Sequence, residues 1–196
     1  LTSIGDMANW IDGLLASLGV AQAMLVGHSQ GVLVALETAS RHPERVAALT
    51  LIAGAMAIPV NDALIEMSQS APEKAFRMMT SWGHGPGAHK FDNTQPGHAF
   101  LGYGRRVMAQ NDGAALHADL VACNSYDGGK DAAASVTQPS LCLLAGKDKM
   151  TPVKFGRKMA EQISGAQCHV FERAGHFLPA EFPIEVNDAM AAFLSR

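Results

Sequence analysis

Apolar positions recur along the chain with two different spacings, and the helical one comes first. From Ile4 to Leu18 apolar side chains return every three or four residues, and Gly19 ends the pattern. Ser3 followed by Asp6 forms a capping-box start to this segment, which predicts an amphipathic helix. Comparable spacing predicts three further helices, over residues 32–39, 153–163 and 183–194, the last with Pro183 in its first turn.

Four short runs are almost continuously apolar instead, at residues 23–26, 46–53, 140–145 and 167–171. Runs of this length are typical of strands buried on both faces of a parallel sheet. Strands and helices alternate along most of the chain, and this order predicts helices on both sides of the sheet. The predicted fold class is therefore α/β, with a mostly parallel, doubly wound sheet of about four strands.

Residues 58–135 break the alternation. They contain helical segments rich in Met and Ala, separated by glycine- and proline-rich turns at 82–87 and 93–97, and they carry no long strand pattern. We predict that this stretch is a helical cap or lid inserted over the ends of the strands. The α/β core would then consist of residues 1–57 and 136–196.

The composition favours a single domain and argues against nucleic-acid and membrane partners. A chain of 196 residues that is 48% hydrophobic can bury a substantial core. Its net charge of −3 provides no cationic stripe, so we expect no nucleic-acid partner. No apolar run reaches the roughly 18 residues of a membrane span, and the N-terminus lacks the layout of a signal peptide. Three cysteines cannot all pair, so we expect free thiols and a cytoplasmic location, with the oligomeric state unknown.

The first candidate for chemistry is the sequence Gly27-His28-Ser29-Gln30-Gly31, which follows an apolar run and opens a helix. Gly-x-Ser-x-Gly alone is weak evidence, because a glycine-rich chain contains it by composition. A strand, a tight turn and a helix are the context of a nucleophile elbow, in which flanking glycines avoid clashes. We therefore predict Ser29 as a nucleophile and the Gln30 backbone N–H as an oxyanion donor. The alternative is an ordinary turn with a solvated serine.

A serine nucleophile needs a general base, and His176 is the best placed of the eight histidines. It follows the fourth apolar run, and residues that directly follow parallel strands emerge at one edge of a sheet. A surface or capping histidine is the alternative. His28 borders the serine, and we expect its side chain to point away from the hydroxyl or toward the core. The other histidines lack metal-ligand spacing, so we expect no metal and no cofactor.

An acid must orient the histidine, and Asp148 directly follows the third apolar run. Pairing with Lys147 or Lys149, or capping of the next helix, is the alternative role for this carboxylate. The chain order of serine, then aspartate, then histidine is the order found in α/β-hydrolases.

With these residues in place, the chain resembles the α/β-hydrolase superfamily over nearly its whole length. The resemblance rests jointly on residues 25–31, 143–152 and 174–178. It implies an eight-stranded parent, with the elbow after the fifth strand and a cap after the sixth. The earlier strands and the His-Gly loop that normally gives a second oxyanion donor are missing here, and Leu1 starts almost inside a helix. We therefore expect the C-terminal part of a longer protein.

The activity that this resemblance implies is hydrolysis of carboxylic esters through an acyl-enzyme. Serine at the nucleophile position speaks against dehalogenase chemistry, since dehalogenases of this superfamily carry aspartate there. Hydrolysis of C–C, thioester or amide bonds and perhydrolysis use the same triad and stay open, as does a non-catalytic binding module or an inactive fragment.

The substrate we expect is a small ester-like molecule with an apolar acyl or aromatic group. Apolar side chains of the predicted cap suit such a group, or else they form the core of the cap. These residues are Met67, Phe76, Met78, Met79, Trp82, Phe91 and Phe100. As candidate substrate-binding residues we name Trp82, in its glycine-rich loop, together with His28, Met150 and Phe177.

Overall fold

The computed structural model describes residues 1–90 and 99–195, and a four-stranded sheet lies at its centre. The strands are β1 (Ala23–His28), β2 (Val46–Ile52), β3 (Ser140–Ala145) and β4 (Gln167–Phe171). They pair in chain order and every pair is parallel, so the predicted parallel sheet is confirmed. Their carboxyl ends, and the segments that follow them, therefore share one edge.

Eleven α-helices surround this sheet within the described residues. They are α1 (Ile4–Ser17), α2 (Gln30–Arg41), α3 (Asp62–Ser70), α4 (Pro72–Gly83), α5 (Pro86–Lys90), α6 (Phe100–Met108), α7 (Gly113–Ser125), α8 (Gly129–Ser135), α9 (Val153–Gln162), α10 (Leu178–Glu181) and α11 (Pro183–Leu194). The predicted start of α1 is correct, since the Ser3 hydroxyl accepts a hydrogen bond from the Asp6 N–H at 3.0 Å.

Alternate side chains of β3 enter two different cores. Cys142 and Leu144 pack with residues of α2, α8 and α9, whereas Leu141 and Leu143 pack with residues of α11. All six residues of β3 are buried. Because successive side chains of a strand point to opposite faces, this alternation shows that helices cover both sides of the sheet.

The two outer strands are less buried than the sequence predicts. In β4, Cys168 and His169 are exposed, and in β1 the side chain of Val26 retains 50% of its accessible surface. The expectation that every apolar run is buried on both faces is wrong for these strands. An edge strand of the described sheet has a neighbour on one side only, so helices cover it incompletely.

Helices α3 to α8 all lie between β2 and β3 in the chain, where the insertion was predicted. The described part of this stretch contains no strand, while Phe91 and the turn at 93–97 lie outside the described residues. Ala132 and Ala133 of α8 pack in the core with α2 and β2, so this last helix contacts the sheet layer. The division into core and cap stays a prediction.

The three cysteines are free thiols, of which Cys123 and Cys142 are buried. Among the helices of residues 1–90 and 99–195, none combines the length and the apolar character required to cross a bilayer.

Candidate active site

Ser29 occupies a strained turn between β1 and α2. Its backbone has φ of 55° and ψ of −119°, a conformation that residues other than glycine rarely adopt. The Ser29 N–H donates to the Ile52 carbonyl oxygen at 3.0 Å, which fixes the turn against the end of β2. The strain therefore falls on the residue predicted to be the nucleophile.

The two glycines that flank this turn have different roles. A Cβ on Gly27 would lie 2.2 Å from the Gly31 carbonyl oxygen, so the close approach of strand and helix requires glycine there. A Cβ on Gly31 would meet nothing within 4 Å. The expectation that both glycines avoid a clash is right for Gly27 and wrong for Gly31.

Asp148 and His176 form a buried pair at the same edge of the sheet. His176 Nδ1 lies 2.8 Å from Asp148 Oδ2, and the two residues keep 2% and 7% of their accessible surface. The other carboxylate oxygen, Oδ1, accepts the backbone N–H groups of Met150 and Thr151, each at 2.8 Å. Both carboxylate oxygens therefore accept hydrogen bonds within the protein, and one of them holds the imidazole.

These contacts determine the charge state of Asp148. Burial acts to raise the pKa of its carboxyl, but the hydrogen bond and charge of His176 and the hydrogen bonds from Thr151 outweigh burial and lower that pKa below its usual value. The group is therefore a carboxylate at neutral pH and can stabilise a positively charged imidazole.

Thr151 is a member of this network that the sequence analysis did not single out. Its hydroxyl oxygen lies 2.8 Å from Asp148 Oδ2, 2.7 Å from the Ala53 carbonyl oxygen and 3.3 Å from His176 Nδ1. A hydroxyl has one proton, so Thr151 shares it between the carboxylate and the carbonyl. Ala53 itself has a positive φ of 46° at the end of β2. The threonine thus ties the acid loop to the turn after β2.

Further hydrogen bonds bring the His176 loop back across the sheet toward Ser29. The Lys147 N–H donates to the Ala174 carbonyl oxygen at 2.8 Å, which joins the loops after β3 and β4. At the far end, His28 Nε2 lies 2.7 Å from the His176 carbonyl oxygen, and the two imidazole centroids are 4.9 Å apart. His176, although it follows β4, therefore contacts the residue directly before Ser29.

His28 is neutral in this position. Burial, reinforced by the charge of His176, lowers its pKa to about 4. A carbonyl oxygen only accepts hydrogen bonds, so we assign the ring proton of His28 to Nε2. The side chain supports the His176 backbone, and it is not among the residues that line the cavity at Ser29.

Glu181 joins the insertion to the same loop. Its two carboxylate oxygens accept the backbone N–H groups of Gly85, at 2.9 Å, and Gly175, at 3.1 Å. Nearby, the Phe177 N–H donates to the Gly83 carbonyl oxygen at 3.1 Å, and the Phe177 ring would be struck by any side chain at position 83. The predicted substrate-binding residue Phe177 therefore lies against the end of α4.

A cavity of about 260 Å³ opens beside Ser29, between the strand ends and the inserted helices. Of the predicted substrate-binding residues, Trp82 and Met150 line it, as does Met79. Most of the other lining residues carry no signal in the sequence that marks them as a site; they are Gln30, Ile58, Pro59, Val60, Asn61, Leu64, Leu116, Asp119, Leu120, Cys123 and Lys149. Four of these residues, Leu116, Asp119, Leu120 and Cys123, recur at helical spacing on one face of α7. Nothing in the neighbouring sequence indicates that this face lines a cavity.

Potential metal ligands cluster away from this cavity. Asp12, His42 and Glu44 place ligand-type atoms within 4.8 Å of one another, in the only such group among the described residues. Asp12 already accepts a hydrogen bond from Arg45 Nε at 2.6 Å. None of the three is a predicted site residue.

Known proteins share this arrangement of sheet, turn and insertion. The enol-lactonase of Burkholderia xenovorans LB400 superposes with a TM-score of 0.89 at 20% sequence identity, covering 99% of this chain and 74% of that one. The protein thus has an α/β-hydrolase fold. Residues 1–189 match the model of the alpha/beta hydrolase family, and the chain belongs to that family.

Several curated relatives of the chain are hydrolases. The 2-hydroxymuconate semialdehyde hydrolase of Pseudomonas sp. (strain CF600) is 26% identical over 209 residues, covering 95% of this chain and 68% of that protein. A pimeloyl-[acyl-carrier protein] methyl ester esterase of Neisseria meningitidis serogroup B is 28% identical over 185 residues, covering 87% and 68%. The chain therefore spans about two thirds of the length of these relatives.

Proposed function

We propose that the protein is a serine hydrolase that cleaves carboxylic esters, with Ser29 as nucleophile, His176 as general base and Asp148 as the orienting acid. The observation that carries this proposal is the buried 2.8 Å contact between His176 and Asp148. The hydrogen bond from His28 to the His176 backbone keeps this pair next to the strained Ser29 turn. A carboxylate that holds an imidazole beside a strained serine is the arrangement used for acyl transfer.

In the first half of the reaction, the Ser29 oxygen attacks the ester carbonyl carbon while His176 takes the hydroxyl proton. The tetrahedral intermediate then collapses, the bond to the leaving oxygen breaks, and His176 returns the proton to that oxygen. In the second half, water attacks the acyl-enzyme with His176 again as base, which releases the acid and restores Ser29.

Developing negative charge on the carbonyl oxygen needs hydrogen-bond donors. The Gln30 N–H stands at the first position of α2, where a helix leaves its N–H groups without intrahelical partners. We assign it as the first oxyanion donor, a contribution typically of about 3 kcal/mol to the barrier. The Gln30 side chain is held away by its bond to the Asp119 carbonyl oxygen at 3.0 Å.

The name of one relative supports an ester bond, and the lining of the cavity supports an apolar acyl group. The Neisseria relative is named as a methyl ester esterase, and the cavity beside Ser29 has walls of Leu64, Met79 and Leu120, which suit an acyl chain. A semialdehyde substrate, as in the name of the Pseudomonas relative, is the second candidate.

The direct test is a panel of short- and long-chain p-nitrophenyl esters assayed with the wild-type protein and with Ser29→Ala. We expect turnover with the wild type and a loss of about 10⁴-fold or more in kcat for the variant. Ser70→Ala, which changes an exposed serine on the insertion, is the matched control and should retain full activity.

A fluorophosphonate probe separates the enzyme from a binding module. Labelling of the wild type that is lost in Ser29→Ala supports the proposal. A folded wild-type protein that neither labels nor hydrolyses any ester would contradict it and favour a non-catalytic role.

A further inference from the structure

One face of α7 lines the cavity beside Ser29. Leu116, Asp119, Leu120 and Cys123 all line it, and their spacing places them on a single side of the helix. Three of these residues are apolar or weakly polar. Asp119 is the exception, because it brings a carboxylate to a largely apolar wall.

Neighbouring groups fix the position of Asp119 close to the candidate nucleophile. Gln30, the residue after Ser29, donates from Nε2 to the Asp119 carbonyl oxygen at 3.0 Å. Burial raises the pKa of the Cys123 thiol to about 12, and the charge of Asp119 contributes to that rise. The negative charge of Asp119 therefore influences the pKa of a thiol that lines the same cavity.

The carboxylate of Asp119 has no ion-pair partner within the described part of the chain. None of the ion pairs shorter than 4 Å among residues 1–90 and 99–195 includes it. Lys149 also lines the cavity, but it is exposed and belongs to none of these pairs. Burial raises the pKa of Asp119 even though a hydrogen bond from the Gln30 side chain opposes the rise, so its position in the cavity wall penalises its negative charge. A bound cation would remove this penalty.

The cavity also contains an aromatic surface suited to a cation. Trp82 lines it, and the face of an indole ring attracts ammonium and quaternary ammonium groups more strongly than other aromatic rings do. A carboxylate together with a tryptophan in a cavity with apolar walls is chemistry that recognises an alkylammonium group.

We infer that the substrate carries a positively charged ammonium group, held in this cavity by Asp119 and Trp82, so that Asp119 is a specificity-determining residue. The inference rests on the proposed ester hydrolysis at Ser29. It disfavours substrates that end in a carboxylate, because Asp119 repels a second negative charge in the same cavity.

Three matched p-nitrophenyl esters test this inference. Their acyl groups are 6-(trimethylammonio)hexanoyl, the tert-butyl isostere in which carbon replaces nitrogen, and the pimelate monoester, in which a free carboxylate takes the place of the ammonium group. Acetate esters of alcohols that end in the same three groups test the other side of the scissile bond. We expect the series whose variable group occupies this cavity, either the acyl series or the alcohol series, to show the preference. In that series kcat/KM should be about tenfold higher for the cation than for the isostere, and lowest for the carboxylate.

Asp119→Asn keeps the shape and volume of the side chain but removes its charge, so the ratio of kcat/KM for the cation to kcat/KM for the neutral isostere should fall from about ten to about one. Glu66→Gln changes an exposed acid of α3 outside the cavity, removes the same charge from the protein, and should retain the preference. An unchanged ratio in Asp119→Asn, or a wild-type protein that favours the carboxylate ester, overturns the inference.

A binding measurement keeps the two proposals distinguishable. If the wild type hydrolyses the neutral isostere and Ser29→Ala does not, ester hydrolysis stands whatever happens to the cation preference. If no ester is hydrolysed, calorimetry with hexyltrimethylammonium decides: binding to the wild type and Glu66→Gln but not to Asp119→Asn supports the cation site, and equal or absent binding in all three overturns it.

Discussion

Nε2 of the His28 imidazole lies 2.7 Å from the carbonyl oxygen of His176, a residue 148 positions further along the chain. This contact links the strand that ends in the Ser29 turn to the loop that follows β4. Because β2 and β3 lie between those two strands, the loop must extend across their ends to make the contact. The contact thereby places the candidate base next to the residue that precedes the candidate nucleophile.

We predict that His28 makes stability depend on pH. The folded protein keeps His28 neutral down to about pH 4, whereas the unfolded chain binds a proton near pH 6.5. The contribution of His28 to the free energy of unfolding is therefore complete above pH 6.5. It falls by about 3 kcal/mol as the pH drops toward 4. Urea unfolding of wild type and His28→Gln between pH 7 and pH 4.5 should show the smaller pH dependence in the variant.

The matched control for His28 is His169→Gln, which changes an exposed histidine of β4. It should keep the wild-type slope of unfolding free energy against pH. Equal slopes for wild type and His28→Gln would show that His28 is not held neutral by the fold.

Thr151→Val removes the hydroxyl with little change in volume, so Asp148 Oδ2 loses a donor at 2.8 Å. We expect kcat to fall about tenfold with KM unchanged, because the threonine acts through the position of the acid and does not touch substrate. Thr151→Ser keeps the hydroxyl and should restore most of the activity. If the valine and serine variants have the same kcat, the hydroxyl does not position the acid.

Asp148→Asn should lower kcat by about 10⁴-fold while leaving the fold intact, since an amide cannot stabilise the imidazolium and favours the wrong imidazole tautomer. Steady-state kinetics with a p-nitrophenyl ester measure the loss. Asp131→Asn, an exposed acid of α8, is the control and should behave as wild type. A kcat within tenfold of wild type for Asp148→Asn would exclude the proposed role of this acid.

Gly27→Ala and Gly31→Ala should differ sharply in stability. The first would place a Cβ 2.2 Å from the Gly31 carbonyl oxygen, whereas the second meets open space. We expect a loss of about 3 kcal/mol in the free energy of unfolding for Gly27→Ala and less than about 1 kcal/mol for Gly31→Ala. Equal losses would mean that the turn relaxes more easily than its geometry indicates.

Much of the fold was predictable because local patterns dictate it. The runs at 140–145 and 167–171 are strands with the predicted bounds, and the helix at 183–194 begins and ends as predicted. Parallel strands share one edge, so Ser29, Asp148 and His176 could be assigned to that edge from their positions after strands. The exposure of β1 and β4 was not predictable from their composition, because it depends on which strands lie at the edge of the sheet.

The sequence by itself determined the order of strands and helices and the three residues proposed for chemistry, since each rests on a pattern within a few neighbouring residues. Only the tertiary structure decided that His28 supports the His176 backbone, that Thr151 joins the acid loop to Ala53, and that Asp119 lines the cavity. These are contacts between segments far apart in the chain. Packing of whole elements sets their distances, and no local pattern encodes that packing.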